Sequence, residues 1–243
     1  MLMHVLTVAG LGRWIAGAAS LLPRCRSRLI EALARYLGQP AKGYSPAATA
    51  EAQSLSAMLR RGDVLLTAGN TRMAALVRRI TGSNWSHVSM YVGPLEEGPD
   101  PRCIVEADIM AGVRAVPLSE FKGQRVRILR PAGLHDTDRH RLADWVVGRI
   151  GAEYDLAEAW ALGRRLLRLP LASRLPPAPS AVQGATRFIC SSLLAQAFVL
   201  VGCPIVPSQT TIRDARAADH RYVTPRDFES ASGFEVVGPR SAG

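Results

Sequence analysis

The order of secondary-structure signals predicts an α+β fold, an antiparallel sheet packed with helices. Three observations carry this. Strand-like apolar runs follow one another between about residues 63 and 129, with one helical stretch among them. Helical spacing takes over from residue 138. The strict strand–helix alternation of a doubly wound parallel sheet is missing. A chain of 243 residues, 48% of them hydrophobic, can bury a full core without covalent staples. Its four cysteines, at 25, 103, 190 and 203, form no Cys-x-x-Cys pair, which argues against a zinc finger or a thioredoxin-type site.

The elements read as follows. Leu2 to Leu22 is apolar but broken by Arg13 and weakened by Gly10, Gly12 and Gly17. After Pro23, Leu29, Leu33 and Leu37 recur at helical spacing among arginines. Residues 1–37 therefore read as an amphipathic arm that lies on a membrane or packs on the domain, and Gln39 to Ala50 as a linker. Residues 1–50 form one unit in this reading and residues 51–243 the domain. Within the domain, Asp63–Leu66 reads as a buried strand. Thr71–Ile80 reads as a helix with Met73, Leu76, Val77 and Ile80 on its inner face. Val88–Val92, Cys103–Ala107, Gly112–Val116 and Arg125–Leu129 read as strands. Asp138–Ile150 reads as a helix burying Leu142, Trp145, Val146 and Ile150.

The chain carries 30 basic and 20 acidic residues, a net +10. Only Lys42 and Lys122 are lysine; the other basic residues are arginine. Residues 1–50 hold six basic groups against Glu31, and residues 159–187 hold five arginines and no acid. The rest of the chain is balanced. Counting from Leu156 into the basic insert at 159–187, helical spacing places Leu156, Trp160 and Leu167 on one face and Arg164, Arg165 and Arg168 on another. Such a face suits an anionic membrane surface. The basic stretches are leucine-rich rather than interleaved with aromatics, so no nucleic-acid partner is expected.

Three residues could do chemistry together. His87 opens a strand in Ser86-His87-Val88, Glu106 is a carboxylate inside an apolar strand, and Cys190 stands where a helix begins. A thiolate nucleophile needs a helix N-terminus and an imidazolium to lower its pKa. It also needs the histidine to move its proton, and an acid or amide to orient the ring. A metal held by the same three residues lacks any ligand pair at local spacing. His135 and His140 read as solvated surface, Cys103 and Cys203 as buried small residues, and Asp144 as a rival acid on a solvent-facing helix position.

An ordered set of motifs runs from Gly62 to Phe198. It comprises Gly62-Asp63-Val64-Leu65, Ser86-His87-Val88, Val105-Glu106-Ala107, Gly112-Val113, Pro117-Leu118, Tyr154-Asp155 and Phe188-Ile189-Cys190-Ser191-Ser192-Leu193. This set resembles the circularly permuted papain-like cysteine hydrolases of the NlpC superfamily, in particular the YiiX/YebB-like branch. The resemblance implies a small barrel-like sheet with the nucleophile at a helix N-terminus. It implies Cys190 as nucleophile, His87 as base and acid, and Glu106 as the orienting group. Tyr154, Ser191 and Trp85 are then candidates for substrate binding or the oxyanion site, and Asp63 for a structural turn. The chain departs from the family in having Ser192 where an acid often follows the cysteine by two positions, and in a long stretch between Tyr154 and Cys190.

The expected activity is a thiol-dependent hydrolase or acyltransferase that cleaves an amide or ester bond through an acyl-enzyme, without a cofactor or metal. The two basic amphipathic segments favour an acylated lipid over a peptide. They place the protein peripherally at a membrane, at the cytoplasmic face, with export left open. The alternatives are a cell-wall peptide hydrolase and a non-catalytic membrane-binding module.

Overall fold

The computed structural model describes residues 35–41, 52–156, 158–159, 162–163, 187–205 and 220–238. Trp160, Arg164, Arg165, Arg168, the arm over residues 1–34 and the loop over residues 170–186 lie outside the described residues, so the membrane-contact expectations do too. The chain divides into two units, Met1–Pro40 and Ala41–Gly243, and every element below belongs to the second.

A short helix, α1 (Ala52–Met58), leads into β1 (Val64–Ala68). Helix α2 (Arg72–Thr81) follows, then β2 (His87–Tyr91), β3 (Arg102–Asp108), β4 (Gly112–Pro117), a 3-10 turn (Leu118–Phe121) and β5 (Arg125–Pro131). Helix α3 (Asp136–Val147) precedes a pair of two-residue strands, β6 (Glu153–Tyr154) and β7 (Arg187–Phe188). Helix α4 (Cys190–Leu200), a 3-10 turn (His220–Tyr222), α5 (Pro225–Ser230) and β8 (Phe234–Val237) complete the order. Six strands form one sheet in the order β4-β3-β2-β1-β5-β8, and every neighbouring pair is antiparallel. The expected α+β architecture is present. The sheet is not closed into the small barrel: among the described residues β4 and β8 are its two edges.

Strand β1 is buried along its whole length because helices cover the sheet on both sides. On one side Val64, Leu66, Val88, Met90 and Val105 pack against Leu142 and Val146 of α3 and Leu193, Leu194, Ala197 and Phe198 of α4. Phe198 meets Phe228 and Phe234 edge-on there, Phe228 and Phe234 lie tilted to each other, all with centroids 5.3–6.3 Å apart, and they dock α5 and β8 onto α4. On the other side Leu65, Ile104 and Ile128 pack against Leu55, Leu118 and Phe121.

Helix α2 starts at Thr71, whose Oγ1 accepts the Ala74 N–H at 3.1 Å, and stops at Gly82 in the left-handed region. Its inner face is rotated from the expected one. Ala74 and Thr81 are buried, whereas Leu76 is 41% exposed. Arg78 donates to Gly69 O at 2.6 Å, and the small Ala74 side chain lets the helix approach Gly69 closely. Those two contacts set the rotation. Helix α3 ends at Val147, capped at Gly148, so Ile150 falls beyond the helix and stays exposed.

Candidate active site

The turn that carries His87 is anchored before the strand begins. Ser86 Oγ accepts the Gly69 N–H at 2.9 Å and faces Thr67 O at 3.2 Å. Trp85 is fully buried, and its Nε1–H donates to Glu229 Oε1 at 2.8 Å. Arg127 donates to the same carboxylate oxygen at 2.8 Å, and the guanidinium groups of Arg125 and Arg127 lie 5.1 and 4.9 Å from the Trp85 ring centroid. His87 thus enters β2 from a clamped segment.

On β3, Glu106 shares a face with His87, since side chains alternate along each strand and Val105 pairs with Met90. The His87 Nε2 to Glu106 Oε2 distance is 2.9 Å. Arg114 of β4 stands directly opposite Glu106. Its Nε and Nη2 donate to Glu106 Oε1 at 3.0 and 2.8 Å, and Nη2 also donates to Glu120 Oε2 at 3.1 Å.

Cys190 is the first residue of α4. Ser192 Oγ accepts the Ile189 N–H at 3.2 Å, satisfying an N–H at the helix entrance. Glu158 Oε2 lies 3.3 Å from the same hydroxyl. A carboxylate therefore reaches Ser192, the position where the resembling family often has an acid of its own.

The short parallel pair β6–β7 places Tyr154 beside Phe188 and so beside the nucleophile turn. Gly112 holds β6 from the other side: Val113 N–H donates to Ala152 O at 2.8 Å, and Gly151 N–H donates to Val113 O at 2.8 Å. A Cβ on Gly112 would sit 2.3 Å from Ala152 O, and φ there is +72°, so only glycine fits.

The electrostatics are those of a linear relay. Burial opposes ionisation of the Cys190 thiol, but the charge and hydrogen bond of His87 outweigh it, with help from the Val88 and Ser191 N–H groups, and its pKa falls. Burial likewise opposes the His87 imidazolium. The Cys190 thiolate and then Glu106 outweigh that, so His87 lies well above 6.5. Glu106 is buried, which would raise it, yet His87 and Arg114 hold it at about 2. Burial, then the Cys190 charge, push the Tyr154 phenol well above 10, so it keeps its proton and can donate.

The structure therefore brings Cys190, His87, Glu106 and Tyr154 together. Two of the substrate-binding candidates belong elsewhere. Trp85 is 1% exposed and offers a substrate no surface; its role is to anchor the turn through Glu229. The Ser191 hydroxyl is taken by Val223 O at 2.6 Å, which leaves only its N–H near the sulfur. Asp144 is exposed. Cys103 is buried as expected, but Cys203 is exposed, because it follows the end of α4 at the Val201–Gly202 turn. Asp63 is structural: fully buried, it accepts from Arg130 at 2.7 and 3.0 Å and from the Arg60 N–H at 2.8 Å. Sequence reasoning missed Arg114 and Glu158. Only the hairpin register, with Gly112 at the turn, could have pointed to Arg114.

A thiol at a helix start, an imidazole opening an earlier strand and a carboxylate on the next strand define a papain-like arrangement with the chain order permuted. Residues 58–161 match the family described as "Permuted papain-like amidase enzyme, YaeF/YiiX, C92 family". That stretch contains His87, Glu106, Arg114 and Tyr154; Cys190 lies beyond it. No curated protein matches the chain by sequence. A solved structure, metalloprotein yiiX from Escherichia coli O157:H7, superimposes with a TM-score of 0.50 at 16% identity, covering 80% of this chain and 98% of that one. The family match over residues 58–161 and the shared fold support a permuted papain-like, YiiX-like protein. The family match supports a hydrolase of amide bonds.

Among the described residues no group of three His, Cys, Asp or Glu side chains is arranged to hold a metal ion. Glu106 spends one oxygen on His87 and the other on the cationic Arg114, a donor set that suits proton transfer better than metal ligation. Among the described residues no helix is long and apolar enough to cross a membrane.

Proposed function

We propose that the protein is a thiol-dependent hydrolase in which Cys190 attacks the carbonyl carbon of an amide or ester. The observation that carries this is the position of His87, bonded through Nε2 to Glu106 at 2.9 Å and so presenting Nδ1 to Cys190. In the first half-reaction the thiolate adds to the carbonyl. The Cys190 N–H at the start of α4 and the Tyr154 hydroxyl donate to the oxyanion. His87 then protonates the leaving amine or alcohol as the thioester forms. In the second, His87 takes a proton from water, hydroxide adds to the thioester, and the acid departs with Cys190 restored. An acyltransferase follows the same course with an alcohol or amine in place of water.

The substrate proposed is an acylated lipid at an anionic membrane surface, with the protein held peripherally at the cytoplasmic face. The support is the sequence itself, in which the whole basic excess lies in two leucine-rich segments. The test compares wild type with Cys190→Ala on N-acyl amides and acyl esters presented in phosphatidylglycerol vesicles. Loss of turnover in the variant is expected, and full activity would sink the assignment. Vesicle flotation tests the membrane part: removing residues 1–40, or changing Arg164, Arg165 and Arg168 to Glu, is expected to weaken binding. The amidase description of the matched family favours an amide over an ester bond, and a cell-wall peptide hydrolase is the second reading. Release of peptide fragments from purified peptidoglycan, without lipid turnover, would select it.

A further inference from the structure

We infer that Arg114 is a positioning residue of the relay, acting on the Cys190–His87 pair through Glu106. This role rests on the catalytic reading above and extends it to a fourth side chain.

A glutamate can present either oxygen to a histidine, and its side-chain torsions let it swing between partners. Here Arg114 grips one oxygen with two N–H groups, at 3.0 and 2.8 Å on Oε1. Only Oε2 is left to face His87, at 2.9 Å. Arg114 is itself steadied by Glu120 Oε2 at 3.1 Å and by its place directly across the β3–β4 ladder from Glu106. The Arg114 side chain is 37% exposed and that of Glu106 only 9%. The guanidinium therefore shields the outer oxygen of a carboxylate that water would otherwise reach.

Charge gives the same residue a second effect. The row thiolate, imidazolium, carboxylate, guanidinium alternates in sign and sums to zero. Without Arg114 the row carries one excess negative charge in a partly buried site. The cheapest relief is protonation of an anion. If Glu106 takes the proton, the imidazolium loses its partner; if Cys190 takes it, the nucleophile is gone. Both routes move thiolate formation to higher pH. An arginine that served only to hold two strands together would change stability and leave that titration alone.

The experiment measures alkylation of Cys190 by iodoacetamide in the full-length protein between about pH 4 and 9, with the site identified by peptide mass. The proteins are wild type, Arg114→Met, Arg114→Gln and Arg114→Lys. The wild-type thiolate is expected to form below the ordinary thiol range. Arg114→Met and Arg114→Gln are each expected to raise the midpoint by up to about one pH unit, less than a directly adjacent charge would, because Arg114 acts on the thiol through Glu106 and His87. Arg114→Lys, which restores the charge, should recover half of that shift or more. Arg114→Gln keeps an N–H donor on a shorter side chain, so it carries the test if Arg114→Met does not fold. A low wild-type midpoint that neither Arg114→Met nor Arg114→Gln moves would overturn the role of Arg114 alone. A wild-type midpoint near that of a free thiol would overturn the catalytic reading on which it rests.

Discussion

Replacing Glu106 by Gln removes one charge and changes almost no volume. Glu106 normally titrates at 4.5 and is held at about 2 in the folded protein. At about 1.4 kcal/mol per pH unit, that gap corresponds to about 3 kcal/mol in favour of the ionised carboxylate. The side chain is 9% exposed, so solvent screening removes little of it. A carboxylate with a lowered pKa contributes stability that is present above its unfolded pKa and lost as pH falls through the folded one. Glu106→Gln should therefore cost about 2–3 kcal/mol at pH 7, still most of that at pH 5, and almost nothing near pH 2. The amide adds a further conflict, because one of its ends must turn an N–H toward either Arg114 or the protonated His87. Urea unfolding at pH 7, 5, 3 and 2 measures the difference. A penalty that does not vary with pH, or one below about 0.5 kcal/mol at pH 7, would refute the buried, doubly bonded carboxylate.

The histidine gives the opposite pH signature. His87 is raised well above 6.5, so its contribution is complete below 6.5 and is lost as pH rises through the folded value. Unfolding measured upward from pH 6 should show wild type losing stability that a His87→Asn variant never had. Gly112→Ala forces a side chain into a left-handed backbone at φ +72° and against Ala152 O at 2.3 Å. The cost should be about 2 kcal/mol or more by urea unfolding, and slower Cys190 alkylation should accompany it as β6 and Tyr154 shift. Asp63→Asn weakens a buried network with Arg130 at 2.7 Å and Arg139 at 3.8 Å. It should cost about 3–5 kcal/mol and lower the thermal midpoint, while the pH profile of Cys190 alkylation in the folded fraction stays unchanged.

Much of this site is legible in the chain because local signals determine it. His87 opens a β-strand beside a Ser-His-Val run, and Glu106 is an acid in an otherwise apolar strand. Cys190 begins an apolar helical stretch with serines where N-terminal polar groups belong. Alternation and helical spacing locate five of the six strands of the main sheet and the cores of α2 and α3. What is not legible depends on partners distant in sequence. Arg114 reads as one polar residue in an alternating strand until the β3–β4 register sets it against Glu106. Trp85 neighbours the histidine in sequence, yet Glu229, far along the chain, turns it inward. The two-residue strands β6 and β7 carry no periodicity of their own, although their pairing brings Tyr154 to the nucleophile turn. β8, with Glu235 and Val236 exposed, lacks a buried alternating face and is recognisable only by its pairing with β5. The rotation of α2 follows from the close approach of Ala74 to Gly69, which hydrophobic spacing does not report.

The account turns on Cys190 being a thiolate held by His87, and that state can be titrated directly. Iodoacetamide alkylation of wild type and His87→Asn across pH 4 to 9, resolved at Cys25, Cys103, Cys190 and Cys203, separates the four thiols. Cys190 in wild type should react at pH 6, and His87→Asn should return Cys190 to the behaviour of an ordinary or buried thiol. Equal reactivity of Cys190 at pH 6 with and without the imidazole, or no reaction of Cys190 below the ordinary thiol range, would contradict the account.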